Sequence, residues 1–256
     1  MSRSIRGMAI MHAAAMFVAL TCAMVTRLDA QGIGLAELRE MMAWNRASLV
    51  LIDEFEFMPG VEGRPFHLDA TAWYGGAYNR AWSRAEGNQL TRESDGEIQG
   101  EVFYGRLITP YWDALIGLRL DGRWGDDGRT RAHLAAGVTG LAPLRFEVSP
   151  TLYLSQDGDL SARLESEYEL LVTQKFVAAP RFEANAALQD VPEWEVGSGL
   201  SNIELGLRMR YYFVPEFAPY VGVSWTRAFG ETADFARQRG SDASQTTIVA
   251  GLRVWW

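Results

Sequence analysis

The chain has 256 residues, 48% of them hydrophobic, with 25 Gly, 12 Phe, 9 Trp and 9 Tyr. That is enough apolar material for one sizeable folded unit and too much for disorder or collagen. The acidic residues number 32 against 24 basic ones, a net charge of −8, with Lys175 the single lysine; a field of that sign attracts cations and argues against nucleic acid as a partner.

Residues 1–30 read as an export signal. Arg3 and Arg6 precede an apolar run from Met8 to Val25, and Leu28-Asp29-Ala30 offers a small residue before a cut at Gln31. A membrane anchor fits less well, because the run carries His12 and Thr21 and is short for a span. Cys22, the only cysteine, leaves with the signal, so neither disulfides nor a thiolate site is available to the mature protein. Residues 31–47 fit no strand; Leu35, Leu38, Met41, Met42 and Trp44 space out as a short amphipathic helix in the periplasm or the lumen.

From there to the end, apolar and polar residues alternate with period two in stretches of roughly ten residues separated by turn chemistry. Strands are expected near 48–58, 66–75, 78–88, 97–109, 111–123, 131–141, 144–155, 159–172, 175–188, 201–213, 217–229 and 245–256. The break at Gly75-Gly76 is the weakest, and ten strands is the alternative to twelve. Trp112, Ala114, Ile116, Leu118 and Leu120 share one face, opposite Asp113, Gly117, Arg119 and Asp121; Ile203, Leu205, Leu207 and Met209 oppose Glu204, Arg208 and Arg210.

A soluble sandwich alternates too, with its apolar face inward. The last segment separates the two: Ile248, Ala250, Leu252, Val254 and Trp256 keep the apolar face to the final residue, which is what lipid contact and aromatic membrane-interface belts require. The expected fold is therefore all-β, a closed antiparallel transmembrane barrel of about twelve strands, because an open sheet edge in hydrocarbon strands polar backbone groups at several kcal/mol each. Short turns such as Thr109-Pro110 and Val214-Pro215-Glu216 are read as periplasmic. Longer or polar connections, at 124–128, 190–201 and 230–244, are read as extracellular, the last as a solvated charged loop.

By parity the lumen collects Glu54, Glu56, Asp69, Glu101, Asp113, Asp121, Glu147, Glu165, Glu167, Glu169, Glu183 and Glu204, with Arg119, Arg123, Arg131, Arg163, Arg181, Arg208, Arg210 and Arg253. Twelve strands enclose little space. One reading is structural, with arginines and acids paired across neighbouring strands and closing the pore; the other is a path or site for a divalent cation lined by unpaired acids.

Several stretches together resemble the copper-resistance outer-membrane protein B family: Tyr111-Trp112-Asp113, Gly140-Leu141-Ala142-Pro143, Glu165-Ser166-Glu167-Tyr168-Glu169-Leu170-Leu171, Pro180-Arg181-Phe182-Glu183, Gly197-Ser198-Gly199-Leu200-Ser201, Phe217-Ala218-Pro219-Tyr220-Val221-Gly222 and Phe229-Gly230-Glu231-Thr232-Ala233-Asp234. The resemblance covers most of residues 50–256. It implies an outer-membrane protein of copper tolerance working beside a periplasmic multicopper oxidase. Family members commonly carry a Met- and His-rich segment before the barrel; here residues 31–47 offer only Met41 and Met42, soft ligands suited to Cu(I), though adjacent Met residues on a short helix are more often packing residues.

Carboxylate with imidazole suits Cu(II). His67 and His133 are the imidazoles left after signal removal, and both point inward by parity, so His67, Asp69, Glu101 and His133 are the candidate metal contacts. A lone histidine beside arginines is more often a hydrogen-bonded surface residue. The rival class is an outer-membrane hydrolase using His67 or His133 with Ser149 or Ser83. The chain has neither Gly-x-Ser-x-Gly nor His-Glu-x-x-His. The sequence thus predicts a monomeric copper-handling barrel bedded in outer-membrane lipid, without covalent chemistry; a general small-solute pore is the alternative.

Overall fold

The computed structural model describes residues 46–59, 66–89, 96–125 and 128–256. The export signal and nearly all of the 31–47 segment lie outside the described residues. The strands are β1 (Ala47–Phe57), β2 (Phe66–Gly75), β3 (Asn79–Gln89), β4 (Gly96–Thr109), β5 (Trp112–Trp124), β6 (Arg129–Leu141) and β7 (Glu147–Ser155). They continue with β8 (Leu160–Glu167), the two-residue β9 (Leu170–Leu171), β10 (Phe176–Ala187), β11 (Gly199–Tyr211), β12 (Phe217–Ala228) and β13 (Ser244–Trp255). β8 and β9 both pair with β10 and are two pieces of one stave, interrupted at Tyr168-Glu169.

Each stave pairs antiparallel with the next, and β13 pairs with β1, so twelve staves close into a ring. Closure leaves no sheet edge, as hydrocarbon demands. No helix among the described residues is long and apolar enough to cross a membrane. The expected twelve-stave architecture is therefore found, with the Gly75–Asn79 connection a tight turn closed by Gly76 N–H donating to Asn79 O at 3.0 Å.

The polarity of the two faces decides between barrel and sandwich. Ile116, Leu118 and Leu205, which a soluble core would bury, are 65%, 59% and 46% exposed on the outer wall. Charged residues instead fill the interior, where Glu54 is 1% and Arg208 2% exposed. Such an apolar outer band fits bilayer hydrocarbon. Tyr78, Tyr111, Phe213 and Trp256 are exposed at the end carrying the short turns, where an aromatic girdle is expected.

Three local features depart from simple alternation. A bulge at Asp53-Glu54 breaks the register of β1 with both neighbours, so two consecutive acids face inward where parity allows one. The 156–159 connection is a tight turn, with Gly158 at φ 91°, on the end where the other connections are long. The 230–244 segment is not a plain loop: α1 (Gly230–Gln238) packs Ala233 against the mouth of the barrel. Gly197 N–H donates to Thr232 Oγ1 at 2.8 Å, tying the 188–198 loop to this helix.

Candidate functional site

The interior divides into an apolar sector and an ionic one. Phe103, Leu115, Ala135 and Tyr153 form a buried cluster on the wall of β4 to β7, with Trp82 of β3 packed against it. This fills one side of the lumen and confines the charges to the rest of the cross-section.

The charges pair across the lumen. Arg163 on β8 donates to Glu86 on β3 at 2.9 Å, five staves away on a ring of twelve, and to Gln99 on β4 at 2.9 Å. Arg181 on β10 meets Glu54 on β1 at 2.9 Å, Asp69 on β2 at 3.4 Å and Glu183 at 3.4 Å. Arg208 on β11 donates to Glu54 and to Glu56, both at 3.1 Å. Arg84 on β3 bonds Ser149 on β7 at 2.9 Å and lies 3.6 Å from Glu165 on β8. Nearer the short-turn end, Arg210 holds Glu167 at 2.6 Å and Asp53 at 3.4 Å, while Arg253 holds Asp53 at 2.9 Å and pairs closely with Glu169. The pairing reaches well beyond neighbouring strands. Charge-assisted bonds of this kind are short and directional, so the layer is a brace across the lumen.

The predicted contacts are distributed through this network. His67 on β2 sits with Nδ1 2.8 Å from Asn88 Oδ1 and Nε2 3.5 Å from Glu54. Asp69 faces Arg181. Glu101 on β4 accepts from the Tyr153 hydroxyl at 2.7 Å and lies 4.0 Å from Arg84. His133 on β6, 5% exposed, places Nε2 2.9 Å from Asp121 Oδ2. Asp69 and Glu101 line one small cavity of about 20 Å³ with Arg84, Glu86 and Arg163, whereas His67 and His133 are each engaged by a different carboxylate. Among the described residues no three His, Cys, Asp or Glu side chains converge on a metal-sized point. Neither histidine bonds a serine: Ser149 accepts from Arg84, and each imidazole has the partners just given.

Above the ionic layer, at the end with the long connections, lies a vestibule of about 280 Å³ lined by Arg119, Arg123, Arg131, Arg163, Arg239 and His133, among others. Its rim is the 188–198 loop and α1. Glu195 adopts a left-handed φ of 59° and offers its carboxylate to Arg123 at 3.4 Å and Arg239 at 2.7 Å. Trp194 lies under the guanidiniums of Arg123 and Arg131, 5.1 and 5.9 Å from them. The same loop is pinned by Ser198 N–H, which donates to Asp190 at 2.6 Å and holds that exposed carboxyl below its usual range.

Arg80, Arg84, Glu86 and Asp53 are lumen residues that strand parity did not supply. On β3 the outward positions are Ala81, Ser83, Ala85 and Gly87 while Trp82 points in, so hydrophobicity gives no contrast there. Asp53 is brought inward by the bulge alone.

Residues 46–256 match the family model described as copper resistance protein B precursor. Copper resistance protein B of Escherichia coli is 35% identical over 208 residues, covering 81% of this chain and 69% of that protein. A copper resistance protein B homolog of Pseudomonas syringae pv. tomato is 35% identical over 209 residues, covering 82% and 70%. Among solved structures the NanC porin superposes with TM-score 0.51 at 16% identity, covering 81% of this chain and 99% of that one. At that identity it speaks for the fold alone, an outer-membrane barrel.

Proposed function

This chain belongs to the copper resistance protein B family, and from that premise we propose that the barrel binds copper ions or gates their passage across the outer membrane, with no covalent chemistry. The observation that carries the reading is the brace of ion pairs reaching up to five staves across the lumen. A general small-solute pore needs an unobstructed path, whereas a braced interior suits selective binding and restricted passage.

The copper contacts in this reading are His67, Asp69, Glu101 and His133. His133 is seated on Asp121 through one ring nitrogen, the relation in which a carboxylate orients a ring for metal contact, whereas His67 is held at both nitrogens, by Asn88 and Glu54, and meets copper only by releasing one of them. Because these side chains are dispersed rather than clustered, the expected mode is weak, successive contact along the lumen instead of storage in one cage. A periplasmic multicopper oxidase is the partner we assign to the short-turn end, and the barrel works as a monomer.

The test is uptake of copper by liposomes holding the mature protein, against zinc and calcium, alongside conductance in planar bilayers. Selective copper uptake with low conductance, reduced in His67→Asn, Asp69→Asn, Glu101→Gln and His133→Asn, supports the reading. Steady conductance without copper preference, or uptake indifferent to all four changes, refutes it.

A further inference from the structure

The two mouths of the barrel are finished differently. The mouth with the long connections is covered by the 188–198 loop and α1, tied together by Gly197 N–H and Thr232. At the other mouth the described residues supply short turns, and the inner wall there turns from ionic to apolar. On β1, Leu51 and then Leu49 follow Asp53 toward this mouth, and on β13 Trp255 follows Arg253. Register fixes where they point. Leu51 pairs with Thr71 and with Trp255, and Leu49 pairs with Trp73, which stands on the lumen side 6.2 Å from Trp82. Leu171 of β9, on the stave opposite β2, pairs with Val177, whose other partner is the lumen-facing Arg210, so Leu171 faces inward too.

These side chains are left open. Leu171 is 64% and Trp255 37% exposed, and Leu49, Leu51 and Trp73 are half-buried. The apolar cluster farther up the same lumen, around Phe103 and Leu115, is by contrast 2–3% exposed. The outer wall's exposed leucines meet hydrocarbon, but a face turned to the axis meets water, and apolar surface there gains from being covered.

The chain enters the wall beside this patch. Arg46 donates to the Tyr74 hydroxyl at 3.3 Å and lies 5.9 Å from that ring, and Tyr74 is on the outer side, paired with Ser48. Residue 46 is thereby fixed at the rim of the short-turn mouth, and residues 31–45, outside the described residues, lead up to it. Their apolar positions Leu35, Leu38, Met41, Met42 and Trp44 recur at helical spacing. Two surfaces within reach would accept such a face, the membrane surface and the mouth. A helix lying on a membrane carries a polar face rich in lysine and arginine. Here the charged residues are Glu37, Arg39 and Glu40, two acids against one base, and nothing in them favours anionic headgroups. We propose that residues 31–45 fold back into the short-turn mouth and seat their apolar side on Leu49, Leu51, Trp73, Trp255 and Leu171, so that the barrel's own leading segment plugs the lumen at that end.

Residues 31–256 contain no cysteine, so introduced thiols report on their own positions. The experiment folds residues 31–256 in detergent with Leu35→Cys and one cysteine in the wall, and joins the two with a short bis-maleimide read by peptide mass spectrometry. Leu171→Cys and Leu170→Cys are the decisive comparison: the residues are adjacent, 64% and 51% exposed, and alternate between mouth and lipid. The expected result is at least tenfold more product within one chain at Leu171→Cys than at Leu170→Cys. In a second measurement a water-soluble maleimide modifies Leu49→Cys. Its rate should rise at least tenfold when Leu35→Asp and Leu38→Asp are added, while Ser48→Cys, on the outer side, stays unchanged. Heat-modifiable migration in gels verifies that each variant is folded; should the double aspartate variant fail to fold, the crosslink ratio decides. Equal yields at the two wall positions, no product at either, or Leu49→Cys reacting fast before the aspartates are added overturns the plug. Product joining two chains assigns the patch to a second copy and overturns it as well. None of these readouts involves copper, so their failure leaves the copper reading standing.

Discussion

Arg208 gives the sharpest test of the braced lumen. It is 2% exposed and lies between Glu54 and Glu56, themselves 1% and 2% exposed, with both contacts at 3.1 Å. At an effective dielectric near 20, each such pair is worth about 5 kcal/mol of attraction, while desolvating each ion costs several kcal/mol. The pair's net worth is therefore small, but Arg208→Met leaves the desolvation of the Glu56 carboxylate uncompensated, a loss of about 3–5 kcal/mol. With a urea dependence of about 2 kcal/mol per molar, the unfolding midpoint in phospholipid vesicles falls by about 2 M. Glu56 has Arg208 as its salt-bridge partner, whereas Glu54 keeps Arg181 at 2.9 Å. Arg208→Met with Glu56→Gln should accordingly recover most of the loss, a coupling that a double-mutant cycle reads directly. A midpoint unchanged in the single variant, or a double variant worse than the single one, refutes the account of Arg208 as a brace.

Other expectations follow from the same structure. Leu118→Arg, on the lipid-facing wall, should cost about 2–4 kcal/mol in vesicle unfolding if it sits near the bilayer midplane; a change under about 0.5 kcal/mol would place that face elsewhere. Thr232→Val removes the acceptor for Gly197 N–H and should weaken the clasp between loop and helix by about 1 kcal/mol, seen as faster trypsin cleavage at Arg237 or Arg239 with the barrel intact. Asp190 is held below its ordinary value of 3.8 by the Ser198 backbone, so its contribution to the loop is present above that value and fades as pH falls through its lowered one. Chemical-shift titration of Ser198 N–H should therefore show a midpoint under 3.8, and a midpoint above it would contradict the hydrogen bond.

Much of the wall was legible in the sequence because a half-lipid, half-lumen strand must alternate, and turn residues mark where it stops. The expected strand at 111–123 appears as Trp112–Trp124, and that at 217–229 as Phe217–Ala228. Where the outer face carries small residues, as on β3, alternation lost its meaning and Arg80, Arg84 and Glu86 went unassigned. Parity also cannot register a bulge, which is how Asp53 escaped. Least legible were the partners: the pattern places Arg163 in the lumen, but that it reaches Glu86 five staves away depends on the diameter of the closed ring. Helix α1 has a short, largely polar sequence whose helicity comes with docking Ala233 on the barrel mouth.

The bulge at Asp53-Glu54 bears on the order in which the molecule is assembled. Its two acids are neutralised by Arg181, Arg208, Arg210 and Arg253, all contributed by the last third of the polypeptide. Until those residues arrive, the opening hairpin holds anions it cannot discharge, and its transfer into hydrocarbon is unfavourable. Insertion is thus coupled to completion of the chain: an assembly halted early should stall at the bilayer surface instead of lodging there half-built.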